Sequence, residues 1–81
     1  MDVIDYAVLE KMTRKLQADT KLNASTRKSI QSEAGINTIT LHRRLQKLVE
    51  SGYISKGIKI KLEHTYYVTE AGINALEEAK K

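Results

Sequence analysis

The sequence predicts an α+β fold, mostly helical, with elements in the order α-α-α-β-β-α. Three observations carry that reading. Apolar residues recur at helical spacing in four stretches, most cleanly at Leu41, Leu45 and Leu48. Between the third and fourth stretches the chain turns rich in β-branched and aromatic residues, and Ile58-Lys59-Ile60-Lys61-Leu62 alternates with strand period. Gly35 and Gly52 stand directly after two of the helical patterns, where a left-handed residue stops a helix without steric cost.

Taken in order, Asp2 is placed to cap a first helix over about residues 2–17. Its apolar positions are Val3, Ile4, Ala7, Val8, Leu9, Met12 and Leu16, more than one narrow core stripe uses. Ala18 to Ala24 reads as polar and irregular, with Leu22 as its apolar anchor. Ser25 or Thr26 caps a second helix over about 26–34, with Ile30 and Ala34 inward and Gly35 ending it. Asn37 caps a third over about 38–51, closed by Gly52. A hairpin follows over about 53–68, its tip somewhere in Lys56–His64 because no Asn-Gly or proline marks it. Strand alternation puts Tyr66 and Tyr67 on opposite faces. Thr69 caps a last helix over about 70–80 through the apolar positions Ala71, Ile73, Leu76 and Ala79.

At 81 residues this is a single domain, 1–81, with a modest core that dimerisation would help. There is no cysteine, so no disulfide or thiolate metal site can staple it. No apolar run approaches the roughly 18 residues of a membrane span, and the expectation is a cytoplasmic, nucleoid-associated protein. The net charge of +4 hides a strong asymmetry. Residues 11–61 carry 12 Lys/Arg against Asp19, Glu33 and Glu50, while both ends of the chain are acidic. A basic middle of this kind points to a polyanion.

The third helix says where that polyanion would lie. With Leu41, Leu45 and Leu48 inward and roughly 100° per residue, Arg43 and Glu50 point away from the core. Ile39 and Gln46 flank them on one side and Lys47 on the other, with His42 at the edge. The adjacent arginines are therefore not equivalent. Arg43 is placed to probe, and Arg44 to pack its stem and pair locally. In a B-DNA major groove Arg43 matches guanine, Gln46 matches adenine, and Ile39 suits a thymine methyl group.

The run "IQSEAGINTITLHRRLQKLVESGYI" resembles the helix-turn-recognition-helix of winged helix-turn-helix transcriptional regulators. The later "YYVTEAGINALEEA" is similar to their second wing strand and final helix. One position departs: where that family has a small residue in the second helix, this chain has Gln31. The resemblance implies a sequence-specific double-stranded DNA-binding regulator, acting as a repressor, with the third helix in the major groove and the wing on the backbone or minor groove. It assigns base contact to Thr38, Ile39, His42, Arg43 and Gln46, and phosphate contact to Arg27, Lys28, Lys47, Lys56, Lys59 and Lys61.

Other chemistries find little support. His42 and His64 are the only imidazoles and no cysteine accompanies them, so a metal site would need both in a dimer, and the reading preferred is His42 as a groove contact and His64 as a wing residue. No nucleophile–base order or phosphate loop is present, and neither catalysis nor a cofactor is expected. No small-molecule ligand is evident. Without Phe or Trp the chain lacks a stacking platform for single strands. The remaining alternatives are a winged helix that binds protein, or a non-specific architectural DNA binder. The acidic first and last helices, and the apolar surplus of the first, point to a homodimer.

Overall fold

The computed structural model describes residues 2–80; Met1, Lys81 and the side chain of Lys80, which the predicted domain 1–81 includes, lie outside the described residues. Asp2 accepts the backbone N–H of Ile4 at 2.8 Å and opens α1 (Val3–Arg14). A two-residue strand, β1 (Ser25–Thr26), precedes α2 (Arg27–Ala34), and α3 (Thr38–Glu50) follows. Two strands, β2 (Ile54–Lys56) and β3 (Thr65–Val68), lead to α4 (Glu70–Lys80). The predicted α+β, mostly helical class is the observed one.

The core gathers one apolar stripe from each helix onto a small sheet. Val8, Leu9 and Met12 of α1 meet Ile30 of α2, the Leu41, Leu45 and Leu48 stripe of α3, Ile54, Val68 and Leu76. α1 is the central element, packed against α2, α4 and β3. That position explains its apolar surplus: Ile4 and Leu16 also pack on the core, leaving Val3 as its exposed large apolar residue. Most of the surplus read as an interface is thus used within the chain. Tyr66 is buried and Tyr67 half-buried, as strand alternation requires.

Three local readings are corrected. The first helix ends at Arg14, not near Gln17, because Gln17 takes a left-handed φ of 53° and the chain folds back, the Ala18 N–H donating to the Met12 carbonyl at 2.8 Å. Ala18 anchors the next segment, fully buried and accepting the Val68 N–H at 2.7 Å. Leu22, predicted to do so, is 85% exposed. Finally, β1 was not predicted. It pairs with β3 through Ser25↔Tyr66 and Thr26↔Thr65, so the antiparallel sheet has the order β1-β3-β2. A two-residue strand has no periodicity to read, and its partner lies some forty residues away.

The wing departs from its predicted form too. β2 leaves the ladder after Lys56, and Ile58, Ile60 and Leu62 are exposed along with the lysines between them. The predicted strand alternation over Ile58–Leu62 is corrected: Ile58 and Lys59 lie outside any strand, Ile60 makes an isolated bridge, and Lys61-Leu62 form a turn, because no layer covers an apolar side there. The tip is a two-residue turn, Ile60 and Glu63 exchanging both backbone hydrogen bonds at 2.9 Å around Lys61-Leu62. Lys61 takes φ 56°, a conformation that suits glycine. Lys61→Gly is therefore expected to raise thermal stability, by up to about 1 kcal/mol. A lowered melting temperature in calorimetry would show that the turn is not strained.

Candidate nucleic-acid interface

Two caps fix the α2–turn–α3 unit. Thr26 accepts the Ser29 N–H at 3.2 Å, and Gly35 ends α2 at φ 65°. Asn37 then accepts the Ile39 N–H at 2.9 Å and the Thr40 N–H at 3.5 Å, starting α3 within three residues of the end of α2. Gln31, the departure from the family pattern, has a role in this join: its amide donates to the Thr38 hydroxyl at 2.6 Å. The long side chain runs across the surface and ties the two helices together. Thr38, read as a base contact, has its hydroxyl engaged there in the free protein.

The solvent face of α3 is what its helical angle dictates. Thr38, Ile39, His42, Arg43, Gln46 and Lys47 are all exposed, Ile39 at 71%. Arg44 turns the other way. Its guanidinium lies 3.5 Å from an Asp2 carboxylate oxygen and 3.7 Å from Asp5, so it locks α3 onto the start of α1. The Asp5 oxygen has no hydrogen-bond partner at that distance, and the pairing is one of charge.

Of the basic residues assigned to phosphate, Lys28, Lys47, Lys56, Lys59 and Lys61 are exposed and Arg27 is half-buried. Lys28 pairs with Glu63 of the wing at 3.8 Å. Both side chains are largely in water, so the pair is weak and releases either partner cheaply. The wing lies against α3: two adjoining crevices, of about 170 and 420 Å³, each have His42 of α3 on one wall and His64 and Tyr66 on the other. Sequence reading had not brought His64 to α3. Nothing in the spacing of two residues 22 apart signals that, and only the return of β3 does so.

On α1, Tyr6 donates its hydroxyl to Glu10 at 3.0 Å, and that bond, followed by burial and the Glu10 charge, raises the Tyr6 pKa above its usual value. Glu10 also faces Arg14 at 4.0 Å. Among the described residues, no three His, Cys, Asp or Glu side chains gather to hold a metal ion. No helix among them is long and apolar enough to cross a membrane.

No family model and no curated protein sequence matches the chain. Solved structures do. TubR from Bacillus megaterium is 25% identical, with a TM-score of 0.85 over 98% of this chain and 86% of that one. The DNA-binding TubR fragment from Clostridium botulinum is also 25% identical, with a TM-score of 0.78 over 98% of this chain and 96% of the fragment. MepR of S. aureus, solved as a complex with DNA, is 16% identical, with a TM-score of 0.78 over 99% of this chain and 62% of MepR. The chain is a winged helix-turn-helix protein, and the TubR structures and MarR-family regulators share its fold.

Proposed function

We propose that this protein is a sequence-specific double-stranded DNA-binding transcriptional regulator, acting as a repressor in the cytoplasm. The observation that carries the reading is the solvent face of α3, where Ile39, Arg43 and Gln46 stand exposed between a basic wing and the exposed Lys47. A helix of 13 residues fits a major groove, and this face supplies a fork for guanine, an amide for adenine and an apolar contact for thymine. Thr38, Ile39, His42, Arg43 and Gln46 read bases. Arg27, Lys28, Lys47, Lys56, Lys59 and Lys61 hold phosphates. MepR, which shares this fold, is solved as a complex with DNA, and that supports duplex DNA as the partner.

The function needs no catalytic group and no cofactor. A second copy pairs through α1 and α4, which pack against each other with Val3 exposed on α1, and places two α3 helices on half-sites about one helical turn apart. Light scattering should then give twice the monomer mass; a monomer at micromolar concentration rules the pairing out.

The test is fluorescence anisotropy on fragmented source DNA across a salt series. Tight binding that falls with salt and discriminates among fragments is expected. Binding that ignores sequence would mean an architectural protein, and no binding even at low salt would mean a protein-interaction module. Within the same series, Lys59→Ala should weaken all duplexes alike and lower the salt slope by about 0.9, one phosphate contact. An unchanged slope would remove Lys59 from the interface.

A further inference from the structure

The two histidines of the chain occupy one place. His42 on α3 and His64, just before β3, line both crevices between α3 and the wing, and Tyr66 lines both with them. The fixed charges facing them come from every surrounding element. α2 supplies Arg27 and β2 supplies Lys56, while α3 supplies Glu50 and the wing supplies Glu63. The two lining cations and two lining carboxylates cancel, and Lys28, 3.8 Å from Glu63, leaves the surroundings positive by about one charge with both imidazoles neutral. Protonating both rings adds two more, so the histidines set how strongly the crevice attracts an anion.

We propose that this crevice is a pH-gated seat for a DNA backbone phosphate, held by His42 and His64 with Arg27, so that His42, at the edge of the reading face of α3, turns to the backbone instead of a base. The proposal rests on the DNA-binding reading and adds a site and a control to it. A strand of the duplex passing from the groove face of α3 to the wing lysines crosses the crevice. Leu62 and Tyr66 line it beside Arg27 and the histidines. Glu63 is already drawn toward Lys28, so it competes only partly for an imidazolium. Each imidazolium presents N–H donors and a charge to a phosphate, where a neutral ring offers one N–H and no charge.

The chain is suited to a clean test. Imidazoles as a class change charge between about pH 5 and 8, and the sequence holds two histidines and no cysteine. Duplex affinity is measured by anisotropy from pH 6 to pH 8 over a salt series. Affinity should rise about tenfold toward pH 6, and the salt slope should steepen by about 1.8, two further phosphate charges neutralised. His64→Gln should halve that steepening, and the His42→Gln/His64→Gln double variant should abolish it. Glu63→Gln, which removes a carboxylate and leaves both rings, should bind about threefold tighter than wild type at pH 8. The proposal is overturned if the double variant binds DNA with the wild-type pH dependence, or if the wild type binds equally at pH 6 and pH 8. Absence of duplex binding at every pH and salt concentration would instead remove the DNA-binding reading, and this proposal with it.

Discussion

Gly72→Ala is expected to destabilise the protein by about 3 kcal/mol or more. Gly72 lies in the first turn of α4, where its backbone presses against the chain leaving α3. An added methyl would overlap the Tyr53 carbonyl oxygen and come within 2.7 Å of the Val68 side chain. A flexible side chain can move aside, but the Tyr53 carbonyl cannot. It accepts the Thr69 N–H at 3.0 Å, and the Thr69 hydroxyl donates to the Gly52 carbonyl while accepting the Gly72 N–H at 3.2 Å. These bonds fasten the start of α4 to the end of α3, and the methyl must break them or push α4 off the sheet. For a domain of this size the loss corresponds to a fall of about 15 °C in melting temperature. Ala71→Gly, one position away on the exposed face, should cost no more than about 1 kcal/mol. A Gly72→Ala protein melting within about 3 °C of wild type would mean that the close approach is not rigid.

The same junction shows what could be read from the sequence and what could not. Thr69 was legible as a cap because an N-cap is a local device, decided by residues within three positions of each other. So were Asn37, Gly35 and Gly52, and so was the different fate of Arg43 and Arg44, which follows from the angle between successive residues on one helix. The tightness around Gly72 was not legible, since it depends on Tyr53, nineteen residues back, arriving at the same point. Ala18 and Leu22 were misjudged for the same reason. An alanine gives no sign that it will be covered, and a leucine in an irregular segment reads as an anchor until the chain is seen to leave it in water. The wing was legible as a hairpin but not in its outer half. Period-two alternation over Ile58–Leu62 predicts a strand, yet the helices cover only the base of the hairpin, and beyond Lys56 the chain leaves the ladder. For the candidate interface, the exposed row of α3 follows from local geometry. The pairing of Lys28 with Glu63 and the meeting of His42 with His64 depend on where the wing folds.

Arg43→Ala is expected to cost about 1–3 kcal/mol on the cognate duplex, roughly 5- to 150-fold in affinity, and little on random DNA. The difference arises because a guanidinium on the outermost line of α3 meets base edges, where two parallel hydrogen bonds to guanine are either both made or both lost. Random sequence offers that guanine only by chance. Arg43→Lys should recover less than half of the loss, because an ammonium keeps the charge but cannot form the fork. Arg44→Ala is the informative contrast. Its guanidinium is committed to Asp2 and Asp5, so its removal should lower the melting temperature and weaken all duplexes to a similar degree. A phosphate role for Arg43 would give a different pattern, with equal losses on cognate and random DNA and full rescue by lysine. That outcome would move the sequence preference to Gln46 and Ile39, the exposed neighbours of Arg43 on α3, and leave the third helix in the groove with a different reader.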